Sequence, residues 1–209
     1  MLSVANVEHR QDEAIGVTSS RRVLIKAAAL GALATSPLIG RLIRSGAALA
    51  APSKAQDAKI LQLVLQLEYL QVAFYEQALQ QASLKGDLRD FAQTTLGHER
   101  QHLAAIKNAL GAKAGPKPKF DFGQRTKSPD AFTRTAIRLE DIAVAGYNGQ
   151  ATNLTKGTLA AAAEIVSVEA RHAAWVRAIA GEVAAPVPVD KPMTAKQLAE
   201  GLHEIGLKG

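Results

Sequence analysis

Apolar residues recur along the chain at intervals of three and four in four long segments, the spacing that places side chains on one face of a helix. The four stripes are Leu61, Leu65, Glu68, Val72, Tyr75 and Leu79; Leu88, Ala92, Thr95, Glu99, His102 and Ile106; Thr133, Ile137, Glu140, Val144, Tyr147 and Ala151; and Ala162, Ile165, Glu169, His172, Val176 and Ile179. No segment alternates convincingly as a strand, so the pattern predicts an all-α four-helix bundle.

Short-range signals mark the ends of these helices. Asp87 is the predicted N-cap of the second helix, and Ser128 followed by Pro129 is the predicted start of the third. The fourth helix is expected to begin at Gly157 and to stop near Gly181. Only a few residues separate the first two helices, which predicts that they are antiparallel neighbours.

Two segments interrupt the helical pattern. Residues 111–130 contain three prolines and several lysines, and at about 20 residues they are long enough to return along the bundle as a crossover between helices two and three. After a proline-rich stretch, Thr194 and Gln197 form a predicted capping box for a short C-terminal helix. The predicted domain organisation is a bundle over residues 51–182, followed by this appendage over residues 183–209.

The first fifty residues are predicted to be an export signal and not part of the fold. Arg21 and Arg22 precede an uncharged run over residues 27–40, which is shorter than the roughly 20 residues of a membrane-spanning helix. Ala48-Leu49-Ala50 is a small-x-small cleavage pattern. These features resemble a twin-arginine export signal, which implies the twin-arginine export machinery as a partner and a periplasmic or cell-envelope location. The alternatives are an uncleaved N-terminal anchor and a fortuitous pair of arginines.

Composition excludes several classes of protein. The 209 residues include no cysteine, so disulfides, zinc fingers and thiolate-bound iron are ruled out. About half of the net charge of +6 lies in residues 1–50, which leaves the remaining chain close to neutral and gives no reason to expect a nucleic-acid partner. A homo-oligomer is compatible with the sequence.

The positions of the acidic residues carry the chemical information. Glu68, Glu99, Glu140 and Glu169 each occupy the apolar stripe of a different helix. A buried, unpaired carboxylate costs several kcal/mol, and four that converge also repel one another. Two divalent cations, together with neutral imidazoles, would balance this charge.

The spacing of the histidines and tyrosines sharpens this hypothesis. Helices two and four each carry Glu-x-x-His, and helices one and three each carry a single glutamate followed seven residues later by tyrosine. This set of side chains is that of a di-iron or di-manganese carboxylate bundle. The same order in both halves implies a pseudo-twofold axis through the site. The residues concerned are Glu68, Tyr75, Glu99, His102, Glu140, Tyr147, Glu169 and His172.

Other polar residues are weaker candidates. A third Glu-x-x-His pair, Glu200 and His203, has no counterpart in the repeat and is predicted to lie on the surface. His98 lies about 100° around its helix from the neighbouring glutamate, which predicts a place on the flank of the bundle. Glu164 is expected at the surface, and Trp175 is expected to cap the core beside the site.

Four stretches, LEYLQVAFYEQAL, GHERQHLAAI, RLEDIAVAGYNGQATN and VSVEARHAAWVRAI, resemble the ferritin-like superfamily, and in particular exported bacterial ferritin-like domain proteins. The resemblance covers about residues 57–181. It implies that Glu99 and Glu169 bridge two metal ions, and that Tyr75 and Tyr147 orient carboxylates of the opposite half. The metal ligands it implies are Glu68, Glu99, His102, Glu140, Glu169 and His172.

The resemblance also implies a function. The expected cofactors are two iron ions or, alternatively, two manganese ions, and the expected small-molecule substrate is dioxygen or peroxide. The leading hypothesis is an exported ferroxidase or peroxide-scavenging oxidoreductase that acts in stress protection. A manganese catalase-like activity is one alternative, and a non-catalytic envelope or stress protein with a structural metal, or none, is another. Binding to a membrane surface would require the basic leader to stay attached.

Overall fold

The computed structural model describes residues 51–208, and its regular structure is almost entirely helical. Among these residues, the helices are α1 (Lys54–Gln81), α2 (Gly86–Leu110), α3 (Pro129–Gln150), α4 (Lys156–Ile179) and α5 (Ala195–Ile205), with 3-10 turns at Gly111–Lys113 and Ala151–Asn153. The predicted all-α bundle with a short C-terminal helix is confirmed. The predicted export signal lies outside the described residues. Within residues 51–208 no helix has the length and apolarity needed to cross a membrane.

The predicted helix starts are confirmed at two positions and wrong at one. The Ser128 side chain accepts a hydrogen bond from the backbone N–H of Ala131, and Thr194 and Gln197 form the expected capping box. Asp87 is not an N-cap. The N-cap of α2 is Lys85, and Asp87 lies in the first turn, where its charge still favours the positive end of the helix dipole.

The start of α4 is held by a carboxylate from α1. Asp57 is buried, and its two oxygens accept hydrogen bonds from the backbone and hydroxyl of Thr155 and from the hydroxyl of Thr158. Because these donors belong to the first turn of α4, the beginning of that helix is fixed against the beginning of α1. These hydrogen bonds lower the pKa of Asp57 although burial opposes ionisation.

The four long helices form two hairpins. α1 packs along α2, and α3 packs along α4, while α1–α3 and α2–α4 contacts join the two hairpins. Residues 111–128 connect them as the predicted crossover, which includes the two-residue strand β1 (Lys119–Phe120). This strand pairs antiparallel with β2 (Leu207–Lys208), near the end of the chain. Strands of two residues are too short to show an alternating pattern in the sequence.

The five phenylalanines of the chain lie in one cluster where the two hairpins pack together. Phe74 stacks on Phe132 with ring centroids 5.4 Å apart, which joins α1 to α3. Phe122 packs edge-on against Phe74 at 5.6 Å, so the crossover contributes to the core. Phe91 and Phe120 complete the cluster through Phe132 and Phe122 respectively. This packing stabilises the arrangement in which the two hairpins face each other.

The C-terminal helix is part of the core. Leu198 and Leu202 of α5 are fully buried, and the helix packs on α1 and α3. The chain before it approaches α3 closely, since the N–H of Met193 donates to the carbonyl of Ala145. Gly149 makes this approach possible, because a Cβ at that position would overlap the backbone of Met193.

Replacing Gly149 should therefore destabilise the protein. Gly149→Ala is expected to lower the free energy of unfolding by about 1–3 kcal/mol, since the added methyl group meets backbone that cannot move aside easily. Gly97→Ala is the matched control, because Gly97 is also helical but has open space around the new Cβ. The control should raise the free energy of unfolding by about 0.5–1 kcal/mol. Urea unfolding of both variants tests this, and equal effects would contradict it.

Candidate metal centre

The structure brings the six predicted ligand residues together in the interior of the bundle. Each helix of the two hairpins contributes its glutamate to the same place, and α2 and α4 add a histidine one turn further along. All four glutamates are completely shielded from solvent, and His102 and His172 are 9% and 2% exposed. The six residues are Glu68, Glu99, His102, Glu140, Glu169 and His172.

The six side chains form two overlapping groups. One contains Glu68, Glu99, His102 and Glu169, and the other contains Glu99, Glu140, Glu169 and His172. Within each group, one ligand atom from every residue lies within 4.8 Å of the others. Glu99 and Glu169 belong to both groups. These are the two carboxylates that the resemblance implies as bridging ligands.

Both histidines present Nδ1 to the carboxylates. The Nδ1 atom of His102 lies 2.9 Å from Glu169 and 3.2 Å from Glu99. The Nδ1 atom of His172 lies 3.1 Å from Glu99, 3.3 Å from Glu140 and 3.6 Å from Glu169. The same ring nitrogen therefore faces the site in both halves.

Two tyrosines connect the hairpins through these carboxylates. The Tyr75 hydroxyl donates a 2.5 Å hydrogen bond to Glu140, and the Tyr147 hydroxyl donates a 2.5 Å hydrogen bond to Glu68. Each bond runs from one hairpin to a carboxylate of the other. Burial and the neighbouring carboxylates raise the pKa of both tyrosines well above the usual value, which keeps the hydroxyls protonated as donors.

The charges in the cluster are strongly coupled. Burial raises the pKa of Glu140 to about 8 and also raises that of Glu68. Burial opposes protonation of His102, but Glu169 and Glu99 outweigh it and raise its pKa to about 10. The carboxylates around His172 raise its pKa in the same way. In the metal-free protein, protons balance the buried negative charge, and a divalent cation would have to displace them.

Unpartnered atoms show that the site fits a metal ion. One oxygen of each of Glu68, Glu99, Glu140 and Glu169 is buried and has no well-aligned hydrogen bond within residues 51–208. Buried acceptors without donors are rare in proteins. Here four of them lie together beside two imidazoles, and carboxylate oxygens with imidazole nitrogen are the ligands that iron and manganese take.

Sequence reasoning missed Gln71. This residue is fully buried, and its side-chain amide donates a 3.2 Å hydrogen bond to Glu169. Gln71 is three residues after Glu68 and so shares its helix face. This spacing could have identified it.

His98 also has a contact that its flank position does not suggest. It is half-buried, and its Nδ1 lies 2.9 Å from Nε2 of His172. The angle around the helix predicts the direction of the Cα–Cβ bond, but an imidazole is long enough to turn toward a neighbouring helix. By contrast, Glu164, Glu200 and His203 are exposed, as expected for surface residues.

An open cavity of about 520 Å³ leads to the histidine side of the cluster. Trp175 lies at its edge, 37% exposed, with its ring edge-on to Phe91 at 5.2 Å. No carboxylate lines this cavity, and Arg171 gives it a permanent positive charge. The residues lining it are His98, Gln101, His102, Val168, Arg171, His172 and Trp175.

A family model for the ferritin-like domain matches residues 56–182, which is more than half of the chain. The chain belongs to the ferritin-like family. The matched range begins in α1 and ends just after α4, so it contains both hairpins and all six clustered residues of this ferritin-like bundle. A search of curated proteins found no match.

The tyrosine hydrogen bonds of the ferritin-like site can be tested separately. Tyr75→Phe and Tyr147→Phe should each lower the free energy of unfolding of the metal-free protein by about 1–3 kcal/mol, because each leaves a buried carboxylate without its donor. Tyr69→Phe on α1 is the matched control, since Tyr69 is 8% exposed and its hydroxyl has no partner among the described residues. Its effect should stay within about 0.5 kcal/mol. If all three variants have the same free energy of unfolding, the two hydrogen bonds do not contribute to the stability of the protein.

Proposed function

We propose that this ferritin-like protein holds two iron or manganese ions and is an oxidoreductase that acts on dioxygen or peroxide. The observation that carries the proposal is the convergence of four buried carboxylates and two imidazoles on one point of the bundle, where one oxygen of each carboxylate has no well-aligned hydrogen bond. When bound there, a pair of iron or manganese ions supplies two one-electron couples. The fold places the site out of water except at the histidine side.

The chain's own residues would have distinct tasks. Glu99 and Glu169 would contact both ions, while Glu68 with His102 and Glu140 with His172 would complete the two ligand groups. The tyrosine hydroxyls would hold two of the carboxylates at fixed angles. Because these contacts exist before an ion binds, little reorganisation is needed to receive it.

The residues that line the cavity support the proposal of a small, uncharged substrate. Its lining includes Arg171 and no carboxylate, so it offers no attraction to a cation such as ferrous iron but admits peroxide or dioxygen. With ferrous iron as the reductant, each of two ferrous ions would lose one electron, and one peroxide plus two protons would form two waters. The oxidant, peroxide or dioxygen, would reach the site through the cavity.

We also propose that the protein is exported by the twin-arginine machinery to the periplasm or cell envelope and acts in stress protection. The support for export is the Arg21-Arg22 pair with the uncharged run and the cleavage pattern that follow it. Proteins carried by this machinery are exported in the folded state, which suits a protein that needs its metal inserted before export.

Metal binding is the first test of the proposed site. The purified full chain should bind about two Mn²⁺ or Fe²⁺ ions, and Glu99→Ala/Glu169→Ala should lose most of this binding while keeping its helicity. The double variant removes buried charge, so it is expected to fold. Glu200→Ala is the matched control, because Glu200 belongs to an exposed Glu-x-x-His pair. A wild-type chain that stays metal-free in excess iron and manganese would overturn the proposal.

The reaction is the second test. Ferrous iron should be oxidised faster in the presence of the wild-type protein than in the presence of the Glu99→Ala/Glu169→Ala variant, with peroxide or with dioxygen as oxidant. Absorbance of ferric iron and consumption of peroxide are measured together, with Glu200→Ala as control. Peroxide decay with manganese but not with iron would assign a catalase-like activity. Two bound metal ions without either reaction would favour a structural metal.

A further inference from the structure

The two halves of the site share their ligands but not their surroundings. The repeat aligns Glu68 with Glu140 and Glu99 with Glu169, and each pair has the same neighbours in the ligand set. The residues that surround these ligands differ between the two halves. Three residues after the aligned glutamates Glu68 and Glu140, the first half has Gln71 and the second has Ala143. One residue before Glu99 and Glu169, the first half has His98 and the second has Val168. At these two positions the polar residue comes from the first half.

His98 gives the two ligand histidines different environments. Its Nδ1 lies 2.9 Å from Nε2 of His172. The planes of the two rings differ by 12°, and the ring centroids are 5.2 Å apart. His172 thus has one nitrogen toward His98 and the other toward three carboxylates. For His102, only Nδ1 has a hydrogen-bond partner within residues 51–208. The residue that would match His98 on that side is Val168, which has no acceptor.

Gln71 provides a second hydrogen bond on the side of the site that contains His172. Its amide donates to Oε2 of Glu169, which is the oxygen nearer to His172, whereas Oε1 of Glu169 faces His102 at 2.9 Å. The carboxylate is therefore fixed on the side of His172 by a hydrogen bond that Ala143 cannot make in the other half.

We propose that His98 is a positioning residue that makes the two metal positions unequal. By accepting the Nε2 proton of His172, it leaves Nδ1 free as a ligand and fixes the ring toward Glu99, Glu140 and Glu169. An outer hydrogen bond of this kind orients a ligand histidine and raises its basicity. The group that contains His172 then binds its divalent cation more tightly than the group that contains His102. This inference rests on the proposed function.

Two substitutions separate the hydrogen bond from the ring contact. His98→Phe keeps a ring against His172 but has no acceptor. His98→Asn loses the ring but places a carbonyl oxygen near the position of Nδ1. Mn²⁺ binding to the purified full chain, followed by electron paramagnetic resonance of the free ion, should show two unequal steps in the wild type. His98→Phe should weaken the tighter step roughly 10- to 100-fold, and His98→Asn should restore most of it.

The same change at an exposed histidine, His203→Phe, is the matched control and should leave both steps unchanged. Nitrogen-15 NMR of the metal-free protein gives a readout that needs no metal: Nδ1 of His98 should be the unprotonated acceptor. Unchanged binding in His98→Phe, equal weakening in His98→Phe and His98→Asn, or a proton on Nδ1 of His98 would each overturn the inference while leaving the proposed function intact. A wild-type chain that binds no Mn²⁺ would overturn both.

Discussion

The burial of four carboxylates at one point is the constraint on which the rest of this structure depends. Removing an ionised carboxylate from water costs several kcal/mol, and carboxylates in contact repel. The chain offsets part of this cost by donating hydrogen bonds from Tyr75 and Tyr147 and by placing two imidazoles beside the remaining oxygens. The acceptors that stay without donors require protons or cations, so folding and ion binding at this site are thermodynamically linked.

This constraint also ties the two hairpins together. Each tyrosine belongs to one hairpin and its carboxylate to the other, so neither hairpin can complete its own half of the site. The long crossover between them carries an entropic cost of closure. Phe122 offsets part of that cost, because it anchors the crossover in the phenylalanine cluster next to Tyr75. The geometry of the site thus depends on residues that have no chemistry of their own.

Periodicity was sufficient to predict the helices and the convergence of the six residues, because side chains three and four apart must share a helix face. It could not predict contacts that depend on distance between helices. Gly149 lies in a helical pattern like any other residue, and its close approach to Met193 is visible only once α5 is docked. His98 shows a second limit, since the angle of its Cα–Cβ bond points along the flank while its ring reaches His172. The pairing of β1 with β2 joins two residues to two others far along the chain, and no local pattern encodes it.

The internal repeat explains why the ligands are symmetric while the surroundings are free to differ. Each ligand group combines Glu99 and Glu169 with one further glutamate and one histidine, so replacing any of these residues would change the charge balance of the whole site. Residues that contact the ligands without belonging to the ligand set can change without altering this charge balance. Val168 and His98 occupy equivalent positions and line the same cavity, yet only the imidazole can hydrogen-bond to a ligand. Because this cavity opens on the histidine side, the difference lies where a small substrate would arrive, and the two metal positions would meet it in unequal environments.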